Sequence, residues 1–350
     1  MNPHGIKSIG RSEKTTPARH VCFFLSLVVA SILAMLPLTF VGISFRSDYY
    51  SHIPLIPLIS AYLLYQQRKS LFDGAEYEPR WGCPVAAVGL LLYAAGMWGP
   101  GLDQHDASSL MVFSSLLFLF GSFVLFYGGR AFRQSAFPFL FLLFMVPLPS
   151  ALMDRIIYFL QAGSAEVTDM IFIATGIPHL REGFVFHLPG FSIEVAKVCS
   201  GIRSSLALVI TAALAAHFFL RAYWQNAVLA VSLLPIVLVK NGIRISVLTF
   251  LGIYVDRGIL LNGFLHQSGG ILFFIPALAL MGIIIWLLRR LERDSTLNRH
   301  NAKSLESTKL TGSPHFAADN GQSAAPSAPS ALPSTPCALR SALSRESADS

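Results

Sequence analysis

An all-α polytopic membrane protein of about eight transmembrane helices, with an amphipathic interfacial helix and a short extracytoplasmic β-hairpin, is the fold class the sequence predicts. Three observations lead to it. Hydrophobic residues make up 53% of the chain and charged residues only 13%, where a soluble domain carries about a quarter charged. Apolar runs long enough to cross a bilayer recur along the sequence. Lys and Arg gather in short clusters that mark every second loop between those runs, which is the positive-inside pattern. The same clustering accounts for the net charge of +7 without nucleic acid as a partner, because no basic stripe interleaves with exposed aromatics.

Residues 1–20 form a basic N-terminus (Lys7, Arg11, Lys14, Arg19), expected in the cytoplasm. Val21 to Ile43 is almost wholly apolar and reads as a first spanning helix. No small-x-small cleavage site closes it as a signal peptide would require. Ile53 to Tyr65 carries Pro54 and Pro57 and reads as a kinked or partly re-entrant helix, followed by the basic Arg68-Lys69 and Arg80. Pro84–Pro100, Leu110–Tyr127 and Ala136–Leu148 continue the alternation, with Asp103 and Asp106 in one intervening loop and Arg130 and Arg133 in the next.

Asp154 to Thr175 has helical periodicity, but Gln161, Ser164, Glu166, Thr168 and Asp169 interrupt it. Such side chains are costly in hydrocarbon, so an interfacial or bundle-lining amphipathic helix is expected. Phe184 to Val195, β-branched and aromatic around Pro189-Gly190, predicts a hairpin. Ile202–Leu220, Ala227–Phe250 and Phe264–Leu288 complete the spans and end at Arg289-Arg290. The membrane domain is thus 21–293. From Asp294 to Ser350 the chain is rich in Ser, Ala and Pro and reads as a disordered cytoplasmic tail.

This topology brings three reactive side chains to one outer face. Cys199 begins a helix, Arg244 lies near an outer helix end, and His266 begins the last helix. A membrane cysteine is most often a packing residue. Here a helix N-terminus, Lys197 and Arg203 all favour the thiolate, and Ser200-Gly201 opens the backbone for an oxyanion hole. An Arg near a helix end commonly snorkels, but Lys240, Asn241 and Arg244 sit at i, i+1 and i+4 and predict a polar cavity. His266 gains weight only from sharing a face with a thiol. His187, Glu194 and Asp256 fit surface positions or orienting roles. Cys22, Cys83, Cys199 and Cys337 show no metal-ligand spacing, and no HExxH, GxSxG or phosphate loop is present. No metal or cofactor is expected.

At these residues the sequence resembles the exosortase/archaeosortase family. Glu194-Val-Ala-Lys-Val-Cys199-Ser-Gly-Ile-Arg203 is similar to its Cys-Ser-Gly-hydrophobic-Arg motif, Asn241-Gly-Ile-Arg244 to its Asn-x-x-Arg motif, and Phe264-Leu-His266 to its His motif. Met145-Val-Pro-Leu-Pro149, Arg181-Glu-Gly183 and Asp48-Tyr-Tyr-Ser-His52 add to the resemblance, which runs from about Phe45 to Arg290. Ile53 departs from the Gly expected there.

The resemblance implies a cysteine protease or transpeptidase in the bacterial inner membrane, with its site on the extracytoplasmic side. Its partners would be exported proteins bearing a C-terminal Pro-Glu-Pro-like motif, a transmembrane helix and a basic end. Cys199, Arg244 and His266 would be catalytic, with Arg203, Lys240, Asn241 and Glu194 binding substrate. Read without the resemblance, the residues also fit a transporter, a lipid-linked glycan handling protein with a cationic site at Arg244 and Lys240, or a non-catalytic assembly factor.

Overall fold

The structure, a computed structural model, describes residues 17–40, 50, 52–68, 76–254 and 272–293. All lie within the first of the two units into which the chain divides, Met1–Ser295. The expected disordered tail, the start of the last predicted helix at Phe264, and His266 fall outside the described residues.

Among the described residues, seven helices are long and apolar enough to cross a membrane. They are α1 (Pro17–Phe40), α3 (Pro79–Trp98), α4 (Gln104–Gln134), α6 (Ser150–Thr175), α7 (Ile202–Phe219), α8 (Tyr223–Tyr254) and α9 (Leu272–Arg293). Two shorter elements complete the helical set: α2 (Leu55–Gln66) and α5 (Ala136–Phe141), the latter running into a 3₁₀ turn at Leu142–Met145. At 1.5 Å per residue these short elements cover about 15–18 Å, roughly half of a hydrocarbon core. They pack against one another. The sequence read the first as a kinked or partly re-entrant helix, which its length fits, and expected the second to run back across; the helical part of that second segment is too short to cross alone.

The α3–α4 hairpin is built on small residues. Gly82, Gly89 and Gly96 recur every seventh residue along α3, and a Cβ added at any of them would stand less than 3 Å from α4. Backbones approach this closely where lipid supplies little drive for helices to associate and packing must do it instead. Phe23 of α1 closes the layer against Phe123 and Tyr127 of α4, at 5.5 and 5.1 Å between ring centroids.

Arg19, Arg130, Arg133 and Arg289 gather at one end of this bundle. Gly129 donates its N–H to Glu78 there, beside Arg130 and Arg133. Phe137 stacks on His217 near the end of α7, with ring centroids 3.8 Å apart. Gln225 donates to the Leu288 carbonyl and to Glu292 of α9, and Arg289 lies over Phe219. Cys22 and Cys83, both exposed, belong to this basic end through Phe23 and the Gly82–Leu125 contact. At the other end of α4, Asp106 accepts from the backbone and the hydroxyl of Ser150, at 2.6 and 2.8 Å. His105 there meets the Tyr50 hydroxyl at 2.8 Å.

α6 is the bundle-lining helix the sequence allowed. Its polar residues Gln161, Ser164 and Thr168 are buried on one stripe with Ile157, Leu160, Ala165 and Phe172. It runs beside α8 in the same direction: Gly163 faces Leu238, Val167 faces Gly242, and Phe172 lies near Phe250. The predicted hairpin is present as β2 (Val185–Leu188) and β3 (Phe191–Glu194), turning at Pro189-Gly190. A third strand, β1 (Leu180–Glu182), pairs antiparallel with β2 and makes a three-stranded sheet in the order β1-β2-β3.

Candidate functional site

The site is assembled where the chain leaves β3 and enters α7. Val195 keeps the sheet pairing by donating to the Phe184 carbonyl at 2.9 Å. Its own carbonyl accepts from the buried Gln161 amide of α6 at 2.7 Å. A single 3₁₀ turn, Lys197–Ser200, follows, and Gly201 caps α7 in the left-handed region at φ +73°. The backbone of Cys199 sits in that turn; the positions of its side chain and of Val198's are outside the description.

Gly201 is required twice over. Its positive φ costs a side-chain-bearing residue roughly 1–2 kcal/mol, and a Cβ there would stand 2.6 Å from Asn241 Oδ1. Asn241 is fully buried on α8 and donates its amide to Ser164 of α6 at 2.9 Å. One residue away, Lys240 is only 8% exposed and donates to the Ser204 hydroxyl on the first turn of α7. Ser204 in turn donates to the Gly201 carbonyl at 3.0 Å, and Ser205 does so at 2.8 Å. The Ser200 hydroxyl is fully buried and has no hydrogen-bond partner among the described residues. Two segments far apart in sequence, around Cys199 and around Asn241, therefore pack on one another through α6.

Helix lengths fix the depth of this packing. The 18 residues of α7 rise about 27 Å, close to a hydrocarbon thickness of about 30 Å. The contacts of Gly201 with Asn241 and of Ser204 with Lys240 set α7 and α8 in register. The thiol turn thus lies one membrane thickness from the basic end, and α8 from Gly242 to Tyr254 extends about 20 Å past the start of α7. Arg244, half-buried, stands about 4.5 Å further along this extension than Asn241.

The remaining expected residues separate from this group. Arg203 is exposed on α7, and Glu194 is exposed on β3. Lys197 pairs with Asp154 at 3.0 Å, but both are mostly exposed, so solvent screens the pair. His266 is outside the described residues. The far end of α9 lies at the basic end, which places Leu272 toward the opposite end.

A second network was not foreseen from sequence. His179 lies between Asp169 of α6, 2.8 Å from Nε2, and the Ile177 carbonyl, 2.9 Å from Nδ1. Both ring nitrogens face acceptors, an arrangement that suits the imidazolium. Burial opposes that charge, but the Ile177 carbonyl and Asp169 outweigh it and raise the pKa above the ordinary histidine value. Arg181 of β1 pairs with Glu166 at 2.8 Å and lies over the Phe186 ring. The network clamps the sheet to α6. Asp169 and Glu166 were visible in sequence as misfits in an apolar helix, and that misfit was the available signal. Among the described residues, no group of three or more His, Cys, Asp or Glu side chains is placed to hold a metal ion.

The fold and this geometry define a multi-span membrane protein with a buried polar constellation at the bilayer boundary away from its basic end. The chain matches the family model for transmembrane exosortase (Exosortase_EpsH) over residues 44–283, more than half its length, and it belongs to that family. No curated protein and no solved structure matches it.

Proposed function

We propose that the protein is a membrane-embedded cysteine protease/transpeptidase of the inner membrane that cleaves C-terminal sorting signals of exported proteins. The observation that carries the reading is the packing of the Cys199-Ser-Gly turn on Asn241, about one helical turn from Arg244. It joins two of the three motif segments that sequence analysis singled out. The gathering of Arg19, Arg130, Arg133 and Arg289 at the opposite end supports a cytoplasmic placement for that end and an extracytoplasmic one for the thiol turn.

In this reading the Cys199 thiolate attacks the scissile carbonyl. A carbon–sulfur bond forms, the carbon–nitrogen bond breaks, and His266 gives its proton to the departing amine. An acceptor amine or water, deprotonated by His266, then attacks the thioester and releases Cys199. Arg244 faces the negative charge that develops on the carbonyl oxygen, or the acid of a Pro-Glu-Pro-like motif. Glu194 and Arg203, both exposed, flank the path by which an extended substrate reaches the turn.

Processing of a tailed substrate tests the reading. Cys199→Ser, Arg244→Ala and His266→Ala should each accumulate unprocessed precursor by at least about tenfold in an immunoblot, whereas Cys83→Ala should not. Full processing by Cys199→Ser would remove the enzyme assignment and favour the lipid-linked glycan reading, for which the buried Lys240 supplies a cationic site.

A further inference from the structure

We propose that the outer edge of β3 is the docking strand for the substrate. The sorting signal pairs with it in extended form, through main-chain hydrogen bonds at Ser192 and Glu194, and is led from there to the turn that carries Cys199. The inference rests on the proposed peptide-cleaving function and adds how that substrate is held.

The register of the sheet decides which backbone groups face outward. In an antiparallel pair, opposed residues that exchange both hydrogen bonds alternate with opposed residues that exchange none. Val195 donates to the Phe184 carbonyl at 2.9 Å, and the same register sets Ile193 opposite Phe186 and Phe191 opposite Leu188. Those pairs bond within the sheet. The intervening pairs, Ser192 with His187 and Glu194 with Val185, do not, so the backbone groups of Ser192 and Glu194 point away from β2. Among the described residues no strand pairs with that edge. Proteins usually blunt an open edge with proline, lysine or a bulge. Phe191-Ser-Ile-Glu194 has neither residue, and its register is continuous. Ala196 donates to the Glu194 carbonyl at 2.9 Å and closes the edge there. What remains is two donors, the N–H groups of Ser192 and Glu194, and one acceptor, the Ser192 carbonyl.

An extended peptide answers this set in either direction. Two of its carbonyls, two residues apart, receive the donors, and a single N–H reaches the Ser192 carbonyl. The edge also leads to the site. Ser192 precedes Cys199 by seven residues, at most about 23 Å of chain, so one short signal can pair with β3 and reach the turn. The strand is held in place beforehand: Val195 is tied to Phe184 on one side and to Gln161 of α6 on the other, and Phe186 is fully buried. A pre-set edge loses little ordering entropy on binding. The opposite edge, on β1, follows α6 instead, and Arg181 there is engaged with Glu166.

Hydrogen–deuterium exchange resolved to single amides tests the pairing, using full-length Cys199→Ala protein in detergent with and without a purified tailed substrate. Alone, the Ser192 and Glu194 amides should exchange freely while those of Ile193 and Val195 are protected. With co-eluting substrate, the Ser192 and Glu194 amides should slow by at least about tenfold, and the Arg181 amide on β1 should not change. Ser192→Pro deletes an outward N–H and leaves the ladder to β2 intact. Precursor should therefore accumulate at least about tenfold, and far less in Ser192→Ala, which keeps the N–H. Should Ser192→Pro fail gel filtration as a folded protein, the exchange measurement carries the test. Slow exchange at both amides before substrate is added would show an edge already covered and overturn the proposal. Unchanged exchange with substrate, failure of the substrate to co-elute, or equal processing by Ser192→Pro and wild type would also overturn it. The two readings fail separately. Wild-type processing with unchanged exchange removes the docking strand alone, whereas full processing by Cys199→Ser removes the nucleophile.

Discussion

At the scale of single residues, the site depends on the smallest one. Gly201 combines a left-handed backbone with a surface on which Asn241 rests. Gly201→Ala is therefore expected to lower processing at least about tenfold, through roughly 1–2 kcal/mol of backbone strain and displacement of Asn241. Adding Asn241→Ser, which shortens the opposing side chain, should restore part of that loss but not all of it, because the backbone strain stays. Precursor accumulation in the two variants checks this. Cys199, Lys240, Asn241 and Arg244 were legible as candidates because polar side chains stand out in apolar helices. Ser204 was not, since a serine on a first helical turn ordinarily caps its own helix. Only the fold reveals that it receives Lys240.

At the scale of elements, the sheet and α6 act as a unit. His179, Asp169, Arg181 and Glu166 fasten β1 to the helix, while Phe172 and Phe186 pack beneath at 5.4 Å between rings. The His179 pKa is raised by folding once the Ile177 carbonyl and Asp169 overcome the effect of burial. Its contribution is therefore complete below the unfolded histidine value of about 6.5 and is lost as pH rises through the folded value. Asp169→Asn should lower the His179 midpoint in an NMR titration. Its destabilisation in thermal unfolding should be larger at pH 5.5 than at pH 8. The hairpin turn at Pro189-Gly190 was readable from turn chemistry. β1 was not, because Leu180-Arg-Glu carries too few β-branched or aromatic residues to mark a strand. Its position follows from the ion pairs to α6. The same side chains made α6 ambiguous: Glu166 and Asp169 suggested an interfacial helix, whereas buried Gln161, Ser164 and Thr168 make it line the bundle.

At the scale of the whole molecule, the bundle has two chemically distinct ends. Arg130, Arg133, Arg221 and Arg289 mark one, together with Cys22 and Cys83. The thiol turn, the sheet and the extension of α8 beyond Asn241 mark the other. Charge clusters along the sequence carried this polarity faithfully, because each cluster is local. The number of crossing helices was harder to read. Apolar composition alone cannot separate a short segment such as Leu55–Gln66 from a full span, since length decides. The central claim is that this second end holds a nucleophilic Cys199. Mass spectrometry of membranes co-expressing a tailed substrate, quenched in acid, tests it most directly. The account predicts a hydroxylamine-sensitive thioester joining Cys199 to the substrate's new C-terminus, absent in Cys199→Ser. Continued cleavage in Cys199→Ser, with no adduct on the wild-type cysteine, would contradict it.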